Sequence, residues 1–555
     1  MTTTMKLSRL IPAFSLLAFS APLAAQDALT TPPSRITTQE IDAHLRFLSS
    51  DLLEGRAPGT RGGRLAAEYI ASQLEAFGLK PGAADSTYFQ KVPINIVKSD
   101  PATISVRVTG KANATLVSPN DLVVWAGSDA AASEAKGELV FIGYGANAPE
   151  YKWDDFKNVD VRGKIVLVLV NDPPAPATEP KLFGGNAMTY YGRWTYKYEE
   201  AERRGAAGML IVHRTIPAGY PWQVVVSSNV GTHRLLPRDP KLPPALGVRG
   251  WIQDSSAIAL LAQAGLDLET LRKAAESRSF RPVSTGIMMD ISFSNSVQHL
   301  QTENVIGVVR GLDPKLRGEN VVYSAHWDHF GIGLPVNGDS IYNGAADNAS
   351  GVATVLAIAH SAAEGVKPRR SQMFLFVTAE ESGLLGSEYF GQHPPVPATK
   401  IVADLNIDDL RLTGRFKTVE VLGMSKSSLG PALAAMLRPA GITVAPEAHP
   451  EQGQFYRSDH FSLAKVGIPS IDVKGGIEIE NQPAGFGKMH ADDFTAHRYH
   501  QPSDDYAHIA SLDDAAQLGE IVYRFGFQIA NSESIPTWNQ DAEFRAAREA
   551  ALRNK

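Results

Sequence analysis

The run NVVYSAHWDHFG, residues 320–331, decides the fold. Val321, Val322 and Tyr323 are strand formers with no polar alternation, the pattern of a strand covered on both faces. His326 and Asp328 follow at its carboxyl end. Being two apart in extended chain, they point to the same side. The same grammar recurs twice: FLFV (374–377) runs into Glu380 and Glu381, and IVA (401–403) runs into Asp408 and Asp409. Further strands are expected at 304–310 and 468–473, with helices near 350–364, 384–391, 428–439 and 512–530. This alternation predicts an α/β fold, a mostly parallel mixed sheet flanked by helices on both faces. In such sheets ligands bind beyond the carboxyl ends of the strands, where these acids and imidazoles gather.

Working outward, Thr37-x-x-Glu40 reads as a capping box ahead of Ile41, Leu45 and Leu48. A second helix is expected after Gly62-Gly63, with Leu65, Tyr69, Ile70, Leu74 and Phe77 inward and Gly78 as its stop. Period-2 alternation over 103–108 predicts a strand. From 121 to 290 the texture changes: strands at 138–145, 164–170 and 208–213, a helix at 193–204, and proline-rich loops at 173–180 and 237–244. We read this block as a smaller, β-rich inserted module. Residues 34–120 and 291–535 then form one discontinuous body around it, and 536–555 a C-terminal helical tail.

With 555 residues the chain is too long for one core. Its net charge of −6 gives no basic surface for nucleic acid or anionic membranes. Cysteine is absent, which removes disulfides, thiol catalysis and thiolate zinc sites. Lys6 and Arg9, the apolar run 10–19 and Ala21-Pro22-Leu23-Ala24-Ala25 read as a signal peptide cut near Ala25. An exported protein is therefore expected, periplasmic or extracellular in a bacterium, with no membrane span further along.

The chemistry-bearing positions are scattered rather than compact. Two neighbouring glutamates at a buried strand end repel unless a cation or proton neutralises them, so one can ligate metal while the other works as a base. Asp347 lies in the small-residue turn NGAADNASG (343–351), where the backbone can approach an ion. Spacing does not choose among His490, His497 and His500, and His329 reads as a loop or packing residue. H-E-x-x-H, G-x-S-x-G, a P-loop and a Rossmann fingerprint are all missing, so serine-hydrolase and nucleotide readings lose their usual support.

Taken together, these segments and LRFLSSDLLEGRAPGTRGG (45–63) resemble metallopeptidase family 28, the co-catalytic zinc peptidases, over roughly residues 36–530. GKIVLVLVNDPP and KYEEAERRGAAGMLIVH resemble the protease-associated domain inserted in such enzymes. The resemblance implies two zinc ions: His326 and Asp408 on one, Glu381 and His500 on the other, Asp347 bridging. It implies Glu380 as general base on a zinc-bridged hydroxide, Asp328 as the carboxylate supporting the ligand imidazole, and Tyr499 as the group that polarises the scissile carbonyl. A cis peptide after Asp347 belongs to the same pattern. Tyr456, Asp459 and His460 fall in the family's pocket-forming segment and are the candidate substrate contacts. The implied activity is a secreted aminopeptidase acting on peptides with a free N-terminus, leucine-like residues by default. Glutaminyl-cyclase-like action, carboxypeptidase action and a non-catalytic binding role are the alternatives.

Overall fold

The structure is a computed structural model that describes residues 1–2 and 35–553. The expected signal peptide falls outside the described residues. Among those that are described, no helix is long and apolar enough to cross a membrane.

Four parallel strands make the heart of the larger body. Asn320–His326 pairs with Ser371–Val377 on one side and Ile401–Asn406 on the other, and Ile401–Asn406 pairs in turn with Ser470–Gly475. Antiparallel strands close both flanks, Thr418–Leu422 beyond Ser470–Gly475 and the long strand Val283–Val309 beyond Ser371–Val377. All seven residues of Asn320–His326 are buried, as are all seven of Ser371–Val377. Alternate side chains go to opposite faces, which a pleated strand requires. Val321, Tyr323 and Ala325 join a core with Ile41, Ile70, Leu356 and Val522, whereas Val322 joins Leu375, Phe390 and Leu463 beneath the other face.

The helices on the first face are Thr38–Leu48, Arg61–Ala76, Ser350–Glu364 and Asp513–Asn531. Thr37 caps the first by accepting the Glu40 amide at 3.2 Å, as its capping box predicts. The second starts at Arg61 rather than after Gly63, because Thr60 takes the cap and accepts the Gly63 amide. Its inward face is Ala66, Ala67, Ile70 and Leu74; Leu65, expected inside, is exposed.

The segment read as a short strand at 304–310 is the end of the 27-residue strand Val283–Val309. Its later half pairs with Phe89–Ser99 in the main sheet. Its earlier half pairs with Ser105–Gly110 and Ala132–Phe141, which carry the chain into a second body. There Ala132–Phe141, Ile165–Leu169, Gly208–His213 and Val248–Gln253 run parallel, with Leu122–Ala126 antiparallel at the edge. Helices Trp194–Arg203, Asp254–Gln263 and Leu268–Ala275 cover this sheet. Ser105–Gly110, which precedes the expected boundary at 121, also pairs on this side of the long strand. In the C-terminal tail the helix is confined to Arg545–Arg553, and Trp538 and Phe544 dock it into an aromatic core.

Candidate active site

His326 ends its strand, and Asp328, Glu380, Glu381 and Asp408 all lie two to four residues past the ends of three adjacent parallel strands. The register His326↔Val377 and Ser324↔Asn406 brings those ends level. One sheet edge thus gathers acids from remote parts of the chain.

The His326 ring donates from Nδ1 to the Asp328 carbonyl at 3.2 Å. Its Nε2 faces two carboxylates, Asp347 Oδ1 and Asp408 Oδ1, each at 3.2 Å. Ser458 Oγ donates to Asp408 Oδ2 at 2.6 Å, which leaves the buried Oδ1 without a hydrogen-bond partner. On the other side of Asp347, Oδ2 lies 3.2 Å from His500 Nε2, and His500 Nε2 lies 3.4 Å from Glu381 Oε2. His326, Asp347 and Asp408 therefore form one potential cation site; Asp347 and Glu381 anchor a second.

These donors fit divalent cations. Two ligands held about 2.0–2.1 Å from one tetrahedral zinc sit about 3.3 Å apart, the spacing seen here. At separations near 4 Å, like charges repel by roughly 4 kcal/mol per pair at an effective dielectric of 20. Burial and the neighbouring carboxylates push Glu380 and Glu381 well above the usual carboxylate range. Burial also raises Asp347, but hydrogen bonds with His326 and His500 outweigh it and hold the carboxyl well below its ordinary value.

The turn that carries Asp347 is fixed from several sides. Asp504 accepts the amides of Ala346 and Asp347 at 2.9 and 3.1 Å. The Asp347–Asn348 peptide is cis, as the resemblance implies. Gly344 has φ +56°, and a Cβ there would come 2.3 Å from the Asp347 carbonyl and 2.6 Å from the His329 ring. Ala379, Asp409 and His500, each next to or within the ligand set, also hold positive φ, a backbone cost that functional sites commonly bear. Arg56, 1 % exposed, donates to the carbonyls of Leu48, Trp327, Asn343 and Gly344 and so clasps the loops that bear Asp328 and Asp347.

Glu380 stands beside the cluster, its own amide donating to Asp328 Oδ1 at 3.1 Å. The Asp328 carboxylate is 3.8 Å from His326 Nδ1, so it couples that imidazole to the backbone of Glu380 rather than taking the ring's hydrogen bond itself. Tyr499 is 40 % exposed and stacks on His500 with ring centroids 3.8 Å apart. Asp459 is buried within electrostatic reach of Glu380, and burial pushes its carboxyl up to about 7. His460 packs edge-on against Phe455 in the scaffold.

Two sequence expectations change. Tyr456, expected to face substrate, is buried in the aromatic core, its hydroxyl donating to Glu543 at 2.7 Å and accepting from Lys426 at 2.9 Å. His329, set aside as a packing residue, has Nδ1 2.6 Å from Glu381 Oε1 and completes a second possible triad with Asp347. Its position three residues after His326 is the signal that would have found it. Ser458, Asp504 and Arg56 carry no such signal; only the folded chain brings them to the site.

Residues 304–525 match the model of peptidase family M28. A curated relative, a probable leucine aminopeptidase of Arthroderma otae, is 28 % identical over 232 residues, 40 % of this chain. The match spans 57 % of that relative's length. Among solved structures, an aminopeptidase from Aneurinibacillus sp. strain AM-1 aligns with TM-score 0.45 and 19 % identity over 89 % of this chain and 94 % of that one. A zinc aminopeptidase of Bacillus subtilis aligns with TM-score 0.40 and 17 % identity over 89 % and 95 %. The stretch 304–525 that matches this family model supplies every residue of both clusters.

Proposed function

We propose that the protein is a zinc-dependent aminopeptidase, exported by its N-terminal segment, that removes single residues from the free N-terminus of peptides. The observation that carries this reading is Asp347 shared between two acid–imidazole clusters, with the unligated Glu380 alongside. His326 and Asp408 would hold one zinc, Glu381 and His500 the other, and Asp347 would bridge. Two zinc ions, when bound, would polarise the scissile carbonyl and bring the pKa of a water near neutrality.

The chain's own groups then divide the work. Glu380, kept basic by burial among acids, takes the proton of the attacking water and returns it to the departing amine. A C–O bond forms as the C–N bond breaks, so the proton count balances. Asp328 fixes the backbone of Glu380 and steadies His326. Tyr499, exposed over the ligand His500, offers its hydroxyl to the developing oxyanion.

Release of p-nitroaniline from aminoacyl-p-nitroanilides, with and without chelator, tests the reading, together with zinc content by elemental analysis. Turnover that survives complete removal of metal would refute it.

A further inference from the structure

The cleft in front of the clusters is walled by both bodies. A cavity of about 390 Å³ lies between Glu381–Gly383 and Trp194, Tyr220, Val224 and Trp251 of the second body. Its charge is lopsided. Arg234 lines it, and the single carboxylate in its wall is Glu381, already committed to the cluster.

Arg193 immediately precedes the lining Trp194, and Arg457 of the larger body lies within electrostatic reach of Arg193. The Arg193 guanidinium lies 5.9 Å from the Trp194 ring, and its buried Nε has no hydrogen-bond partner. Arg457 is exposed and spends one donor on the Gln452 carbonyl at 3.1 Å. The charges of both reach Tyr220. Burial first, then Arg457, push the Arg193 guanidinium down to about 10. Among the described residues neither arginine has an ion-pair partner. Arginines of the second body near Arg193 do: Arg203 and Arg204 pair with Glu200, Arg238 and Arg249 with Glu202. Arg193 also occupies the N-cap of the ten-residue helix Trp194–Arg203 and has no cap hydrogen bond of its own. The positive end of that helix adds to the field. A poorly solvated cation with no counter-charge is costly, and an incoming carboxylate would offset that cost with fork-like hydrogen bonds.

We propose that Arg193, Arg457 and Arg234 form a carboxylate-binding subsite in this cleft, so that preferred substrates are peptides with a negative group away from the scissile bond. This rests on the aminopeptidase reading above. The carboxylate can be the free C-terminus of a short peptide or an acidic side chain.

The test uses the zinc-loaded full chain and two substrate pairs: Leu-Ala-Ala against its C-terminal amide, and Leu-Asp-Ala amide against Leu-Asn-Ala amide. In at least one pair the acidic member should show a KM about tenfold lower, the worth of one charge-assisted hydrogen bond. The pair that shows it identifies the source. In Arg193→Gln and Arg457→Gln the ratio should fall toward one. Equal KM in both pairs, or a preference that survives both substitutions, overturns the proposal. Should Arg193→Gln fail to fold, Arg457→Gln at the exposed position carries the same comparison. Calorimetry with acetyl-Ala-Ala and its amide, which lack a free N-terminus, reads the subsite without turnover. Arginine-dependent binding of the acid in a protein that hydrolyses no leucine peptide would remove the aminopeptidase reading and keep the subsite. Active protein that binds acid and amide alike would do the reverse.

Discussion

The two bodies of this molecule treat buried charge in opposite ways. In the second body Glu200 and Glu202 are almost wholly buried, yet each is answered locally: Glu200 by Arg203 and Arg204, Glu202 by Arg238 at 2.9 Å and Arg249 at 2.6 Å. At the sheet edge of the larger body, Asp347, Glu381 and Asp408 face imidazoles and one another. The buried Arg56 guanidinium spends its donors on backbone carbonyls. The Lys474 ammonium, which pairs with Asp409 and Asp472, acts on Asp408 but is not among the main influences on Asp347 or Glu381. Carboxylates balanced inside the chain are scaffold. Carboxylates that outnumber the cationic groups around them at a sheet edge call for more positive charge than the chain encodes there, and divalent cations are the species that would supply it.

Glu380→Gln sharpens this contrast most. The amide keeps the shape and the packing but cannot accept a proton. Turnover should fall by about 10³-fold, within the usual range for a general base, while zinc content stays unchanged. Near-normal kcat would move the base elsewhere. For the second cluster, His500→Ala should lower zinc from two ions to one per chain, whereas His329→Ala should keep two and weaken the second by roughly tenfold. The reverse stoichiometry would make His329 the ligand. Next comes Ser458→Ala, which frees Asp408 Oδ2 to rotate away from the geometry that aims Oδ1 at His326. Affinity for the first zinc, measured against a chromophoric chelator, should drop about tenfold.

Most of the larger body was legible because its central strands are buried on both faces, and such strands spell themselves as unbroken apolar runs. The acids immediately after those runs could be read for the same reason. A charge placed where a buried strand stops has few structural uses. What could not be read depends on contacts between distant segments. Val283–Val309 crosses from one sheet to the other, so its burial pattern changes partway and only its last six residues read as a strand. Asp504 acts through two backbone amides 157 and 158 residues away in the chain, and Arg56 through four carbonyls, so neither leaves a spacing. Tyr456 misled because its neighbours Ser458 and Asp459 do belong to the site, while its own hydroxyl turns the other way onto Glu543.

The smallest expected change, and the most direct test of the comparison, is in folding stability, read by pairing Glu202→Ala with Glu381→Ala in metal-free protein. Glu202 is the common acceptor for two arginines and the Leu246 amide. Removing it strands those donors, but both arginine side chains are partly exposed, at 31 % and 23 %, and can recover water. A loss of about 1–2 kcal/mol in unfolding free energy is expected, below the roughly 3–5 kcal/mol of a fully buried broken pair, and in the metal-loaded enzyme kcat on a p-nitroanilide should change less than about twofold. Glu381→Ala removes a carboxylate whose neighbours Asp347 and Glu380 repel it, so the metal-free protein should keep its stability within about 1 kcal/mol or gain slightly. Denaturant titration of both variants decides the matter. If Glu381→Ala proved the more damaging of the two without metal, the sheet edge would be balanced by the chain itself, and the case for cations there would fail.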